Sequence, residues 1–104
     1  MKSILHDKTE GTCYLCKLLY EDFSRKPTTE HHILHGTANR KVAERLGLKV
    51  YLCFEHHGAK GKDDVHRPDC NNYDSMLHVI AQREYEKRGG SRQEWMSEVG
   101  KNYL

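Results

Sequence analysis

Two adjacent histidine pairs dominate the chemistry this chain can offer. His31-His32 lies in the stretch Thr29–His35, which also carries His35, and His56-His57 follows shortly after Cys53. Imidazole is a common metal ligand and the side chain whose ordinary pKa lies closest to neutrality. Each of these rings can therefore pack, ligate or move a proton, and spacing is the first guide to which. Cys13-x2-Cys16 stands upstream, and Cys53-x2-His56 repeats the same interval with a histidine in the last place.

A Cys-x2-Cys turn sets two thiolates on one side of a tight loop, and two such loops complete a tetrahedron around zinc. Cys13, Cys16 and Cys53 are the firm members of a structural zinc site. The fourth ligand is open between His56 and Cys70, and Cys13 and Cys16 as reduced thiols packed in a core is the competing reading. A redox role for Cys13-x2-Cys16 is set aside, because no βαβ pattern follows it. A zinc site of this kind contributes on the order of 10 kcal/mol. That is large beside what a thin apolar core supplies.

The segments EHHI (30–33) and LCFEHH (52–57), with Cys13-x2-Cys16 upstream, resemble the HNH (ββα-metal) endonucleases. The resemblance is good over residues 13–57 and loose elsewhere. It implies a β-hairpin and a helix around one divalent ion, braced by a zinc knuckle whose second pair runs directly into a metal-binding histidine. Carried onto this chain, it implies that His31 and His57 bind the catalytic ion, that His32 is the general base, and that His56 belongs to the zinc. HGTANRKVAERLGLKVYLC and the closing GKNYL look like small HNH-type proteins of bacteriophages, some linked to recombination. The implied product is a DNA phosphodiester bond cut by hydrolysis, with Mg2+ or another divalent ion at the catalytic site.

The chain departs from the family where the middle asparagine belongs. Leu48 stands there, and the nearest candidate is Asn39, which serves equally well as a helix N-cap. His66 is a further candidate ligand for the catalytic ion. Asp63 and Asp64 offer oxygen to a hard ion such as Mg2+. His35 reads as a surface residue at a strand end. His6 and His78 show no constellation, and His78 reads as partly exposed. Adjacent residues on a strand point to opposite faces, so His31 and His32 need a twist or bulge to serve one site.

The elements that must position these residues are short. Ile4-Leu5 suggests an edge strand, and residues 13–23, CYLC into KLLYEDF, a turn followed by a short helix or hairpin arm. TTEHHIL reads as a strand. Val42, Ala43 and Leu46 share a helix face that Gly47 ends. LKVYLC alternates Leu48, Val50 and Leu52 and reads as a second strand. Residues 58–64 are polar and loop-like. Tyr73, Met76, Leu77, Ile80, Ala81 and Tyr85 form a helical stripe. Ser91 and Glu94 make a capping box for a last helix with Trp95, Met96 and Val99 inward. The expected fold is α+β: one zinc-braced ββα-metal domain over residues 1–104 with C-terminal helices.

Composition limits the alternatives. The chain has 104 residues, 37% apolar and 31% charged, with a formal net charge of +2. So thin a core calls for a metal, a disulfide or a partner. The charged start MKSILHDKTE reads as no secretion signal, and no stretch approaches a membrane span. A cytoplasmic setting with reduced thiols is the expectation. The net charge is too small to imply a nucleic-acid partner. Arg40, Lys41, Arg45 and Lys49, with Lys60, Lys62 and Arg67, read either as phosphate contacts beside the histidines or as a solvated surface. Two functions follow. One is a metal-dependent endonuclease or nickase acting on DNA. The other is a zinc-stabilised module that binds DNA or protein without cutting.

Overall fold

The computed structural model describes residues 1–104. A 3-10 turn at Lys8–Glu10 leads to α1 (Tyr14–Tyr20), β1 (Thr29–His32), α2 (Thr37–Leu46), β2 (Lys49–Leu52), α3 (Tyr73–Lys87) and α4 (Arg92–Val99). The result is an α+β arrangement of a two-stranded sheet and four helices. β1 and β2 pair antiparallel, with Thr29 opposite Leu52 and His32 opposite Lys49. α2 is the connection between them, so the hairpin is a long one.

Gly36 caps α2 at φ 89°, a conformation open mainly to glycine, and Arg40 N–H donates to its carbonyl at 2.8 Å. The helix therefore starts at Thr37. Asn39 falls inside its first turn, exposed, and is not the N-cap that its residue type suggested. At the other end Gly47 has φ 74°, and a Cβ there would lie 2.5 Å from the Lys2 carbonyl oxygen. That close approach lets the N-terminal segment cross the hairpin.

Ile4-Leu5 makes no strand. Ser3 Oγ instead accepts from the Leu5 and His6 amides at 3.0 Å each, and Ile4 N–H donates to the Gly47 carbonyl at 3.0 Å. This turn lays the segment over the outer face of β2. His6 Nδ1 accepts from Tyr51 N–H at 3.2 Å, and His6 is itself buried. β2 is buried along its whole length as a result, on both faces.

The inner face of β2 meets Leu15, Ile33, Ala43, Leu77, Ala81 and Trp95 in one apolar cluster that includes Cys13, Cys16 and Cys53. The capping box of Ser91 and Glu94 forms as the sequence implies. Trp95 is fully buried and its Nε1–H donates to the Lys101 carbonyl at 2.8 Å. Met96 is exposed, contrary to expectation. Trp95 and Val99, four residues apart, set the inward face, and the next residue turns about 100° away from it. His78 is also buried rather than partly exposed. The C-terminal tail covers it: the Tyr103 ring centroid lies 4.5 Å away, held by a Tyr103 N–H bond to buried Gln82 at 2.7 Å. No helix is long and apolar enough to cross a membrane.

Candidate metal centre

Cys13 stands at the N-terminal boundary of α1 and Cys16 lies in its first turn. Cys53 directly follows β2, and the turn it opens is closed by His56 and His57 amides donating to the Cys53 carbonyl at 3.1 and 3.0 Å. The chain thereby brings Cys13, Cys16, Cys53 and His56 together, all buried. His56 Nδ1 lies 3.3 Å from Cys53 Sγ and 3.6 Å from Cys13 and Cys16 Sγ, and the Cys16 and Cys53 sulfurs are 3.8 Å apart. A tetrahedral zinc with ordinary bond lengths spans about 3.6 Å between sulfur and nitrogen and about 3.8 Å between sulfurs. The four donors fit a closed structural zinc site. Cys70 is exposed beside Arg67 and Asp69 and has no part in it.

Electrostatics point the same way. Burial, with Cys13 and Cys53 as neighbours, pushes the Cys16 thiol up to about 12. A bound cation is what would stabilise the Cys16 thiolate in this setting. Lys26 Nζ donates to Cys16 Sγ at 3.4 Å and to Asp22 at 2.9 Å, adding one positive charge at the edge of the cluster.

The knuckle turn aims the next residue, His57, across the hairpin at His31 of β1. His66 arrives from the following loop. The three ring centroids are 5.1 to 5.3 Å apart, and one nitrogen of each lies within 4.8 Å of the others. His31 is 2% exposed, and its Nε2 is buried without a hydrogen-bond partner. An orphaned buried ring nitrogen costs roughly 1–3 kcal/mol, which a bound ion would offset. His57 Nδ1 sits 2.7 Å from Thr29 Oγ1, a contact that leaves Nε2 for a ligand bond. Burial, reinforced by His57, His66 and His35, lowers the His31 imidazole to about 3. Burial and His66 lower His57 as well. Both rings are neutral at neutral pH, with lone pairs available.

Asp64 builds the loop that delivers His66. Its buried carboxylate accepts from the Gly58 and Lys60 amides and from His66 N–H, each at 2.9 Å. Burial pushes this carboxyl up, but the three amides hold it below its usual range. Asp64 is thus committed to backbone, and neither it nor Asp63 joins the histidine group.

His32 follows His31 in a register without a bulge and is not one of the three clustered histidines. It still reaches the rim of a cleft of about 260 Å³ that His31, His57 and His66 also line. His32 Nε2 lies 2.9 Å from Glu44 Oε2 and 3.3 Å from Glu30 Oε1. Buried Lys49 donates to both Glu44 oxygens at 2.9 Å. His32 first, then Lys49, lowers the Glu44 carboxyl to about 2. Asn39 does not line this cleft.

Glu44, Asp74 and the pairing of His35 with Asp74 have no counterpart among the residues the sequence singles out. Glu44 lies one α2 turn beyond Arg40, and only the fold brings it to His32. Asp74 and His78 do carry a signal, an i,i+4 spacing of two metal-binding side chains on one helix face.

Comparison with known proteins returns no match: no family model, no curated protein and no solved structure matches this chain.

Proposed function

We propose that the protein is a metal-dependent endonuclease of HNH type that hydrolyses DNA phosphodiester bonds. The observation that carries this reading is the convergence of His31, His57 and His66, whose donor atoms lie within 4.8 Å of one another, while the buried Nε2 of His31 has no partner. Three protein ligands with open positions are the arrangement of a catalytic metal, whereas four closed ones are structural.

His31, His57 and His66 would hold a divalent ion, which when bound would supply Lewis-acid stabilisation of the charge that develops on the phosphate and the leaving oxygen. His32 is the proton acceptor. With Nε2–H donating to Glu44, its Nδ1 keeps the lone pair, in the manner of a carboxylate-oriented general base. The water oxygen attacks phosphorus and its proton goes to His32 Nδ1; the P–O bond to the leaving sugar oxygen breaks, and that oxygen keeps the bond pair and takes a proton from solvent. Glu44 takes the orienting part that Asn39 is badly placed to play.

Phosphate binding falls to a subset of the basic residues. Arg45 pairs with Glu98, Arg67 with Asp69, and Lys49 with Glu44, so these charges are already engaged. Arg40 lines the histidine cleft, and Lys41 adjoins it on α2. Arg40 and Lys41, with Lys60 and Lys62 in the loop, remain for phosphates.

The test is cleavage of plasmid DNA with Mg2+ or Mn2+. Wild type cuts. His32→Ala does not, while zinc content and circular dichroism stay unchanged. If His32→Ala cuts at the wild-type rate, His32 is not the base. If the wild type cuts under neither metal, the zinc-stabilised binding module is the better description.

A further inference from the structure

We propose that His35, Asp74 and His78 form a second divalent-cation site, beside the His31–His57–His66 triad and suited to a borderline transition ion such as Mn2+, Co2+ or Zn2+. Asp74 and His78 stand four residues apart on α3, so both side chains lie on one helix face. His35 follows β1 and meets them from another element. His35 Nε2 is 2.6 Å from Asp74 Oδ1, and His78 Nδ1 is 3.6 Å from Asp74 Oδ2. One donor atom from each residue lies within 4.8 Å of the other two.

A second cluster of similar make-up shows what a satisfied one looks like. Glu30, His32 and Glu44 also converge, but the Lys49 ammonium already sits 2.9 Å from both oxygens of Glu44. That group has its cation. Asp74 has no lysine or arginine partner; its ion-pair partners are the imidazoles of His35 and His78. A carboxylate between two imidazoles, with no fixed cation against it, is an N2O donor set.

The ring orientation of His78 is also prepared. Its Nδ1 lies 2.7 Å from the Asp74 carbonyl oxygen, a contact that anchors the ring beside the Asp74 carboxylate. Tyr103 packs on the ring and holds it in place. Two nitrogens and a carboxylate favour first-row transition ions over Mg2+ or Ca2+. Three protein ligands leave positions open for water or a phosphate oxygen.

His35 joins the two sites. Its ring centroid lies 5.9 Å from His31, 6.1 Å from His66 and 5.8 Å from His78. A cation at His35–Asp74–His78 adds positive charge beside the cleft that receives the phosphate. That role rests on the nuclease reading; the binding of the cation does not.

Zinc-loaded protein is titrated with Co2+, following its visible absorption, while mass spectrometry monitors the knuckle zinc. Wild type takes up two equivalents of Co2+ per chain beyond the retained zinc. Asp74→Asn and His78→Gln each take up one, with affinity at the altered site weakened at least about tenfold. His35→Gln, at a half-exposed residue, repeats the loss if either buried-side variant folds poorly. Equal uptake by wild type, Asp74→Asn and His35→Gln overturns the proposal and leaves the three residues as a hydrogen-bonded strut. His57→Gln and His66→Gln remove the other equivalent. If they leave uptake unchanged while Asp74→Asn lowers it, the catalytic-site reading fails and the second site stands.

Discussion

His32 Nε2 and Glu44 Oε2 lie 2.9 Å apart, joining the last residue of β1 to the third turn of α2. This contact fixes which ring nitrogen of His32 is left to accept a proton. Glu44→Gln is expected to slow cleavage by roughly tenfold to a hundredfold, and His32→Ala by about a hundredfold to ten-thousandfold. Single-turnover rates on plasmid DNA measure both. Metal uptake should be unaffected by Glu44→Gln, which separates orientation of the base from assembly of the site. Wild-type rates for Glu44→Gln would remove it from the mechanism.

Zinc binding should be coupled to thiol ionisation. Without a cation, Cys16 is held protonated by burial and its neighbouring sulfurs. Zinc must therefore displace protons, and its affinity must fall as pH falls. Calorimetry in buffers of different ionisation enthalpy should show proton release on zinc uptake. Cys16→Ser and His56→Ala should lose zinc and much of the fold, whereas Cys70→Ser should bind like wild type. Loss of zinc in Cys70→Ser would mean that the ligand set is wrong.

His31 links stability to pH. Its folded pKa of about 3 lies below its ordinary 6.5. Between those values the unfolded chain binds a proton that the folded chain refuses. The stability is therefore complete above pH 6.5 and is lost as pH falls toward 3, at up to about 1.4 kcal/mol per pH unit. His31→Gln, which keeps the zinc knuckle, should lose stability less steeply between pH 7 and pH 4.5. Chemical denaturation at fixed zinc reads the two slopes, and parallel slopes would contradict the burial argument.

Arg40 and Lys41 should dominate DNA affinity. Replacing either with alanine should weaken binding. On duplex DNA it should also reduce the slope of log affinity against log salt by about 0.9 for each phosphate no longer neutralised. Arg45→Ala and Arg67→Ala should change that slope little, because Glu98 and Asp69 already hold these charges. Fluorescence anisotropy across a salt series distinguishes the two pairs.

The local signals are legible in the sequence. Cys13-x2-Cys16, Cys53-x2-His56, the Ser91–Glu94 capping box, the α3 stripe and the stop at Gly47 all depend on residues within a few positions of one another. Intervals of three or four residues are set by turn and helix geometry, whatever the rest of the chain does. The burial of Leu48, Val50 and Leu52 follows from alternation.

The tertiary structure decided what lies between elements. It put His56 rather than Cys70 with the sulfurs, and it delivered His66 through a loop that Asp64 ties to three amides. It moved Asn39 out of the cleft by starting α2 at Thr37, and it brought Glu44 to His32. It also buried His78 under Tyr103 and set His35 against Asp74. Apart from the Cys53–His56 turn and the Asp64 loop, these partners lie far apart in sequence. Each meeting depends on the β1–β2 register, the length of α2 and the path of the terminal segments, and many chain paths satisfy the same local spacings. Residue type and interval determined which side chains can ligate or carry a proton. The packing of hairpin, loop and helix determined which of them face one another.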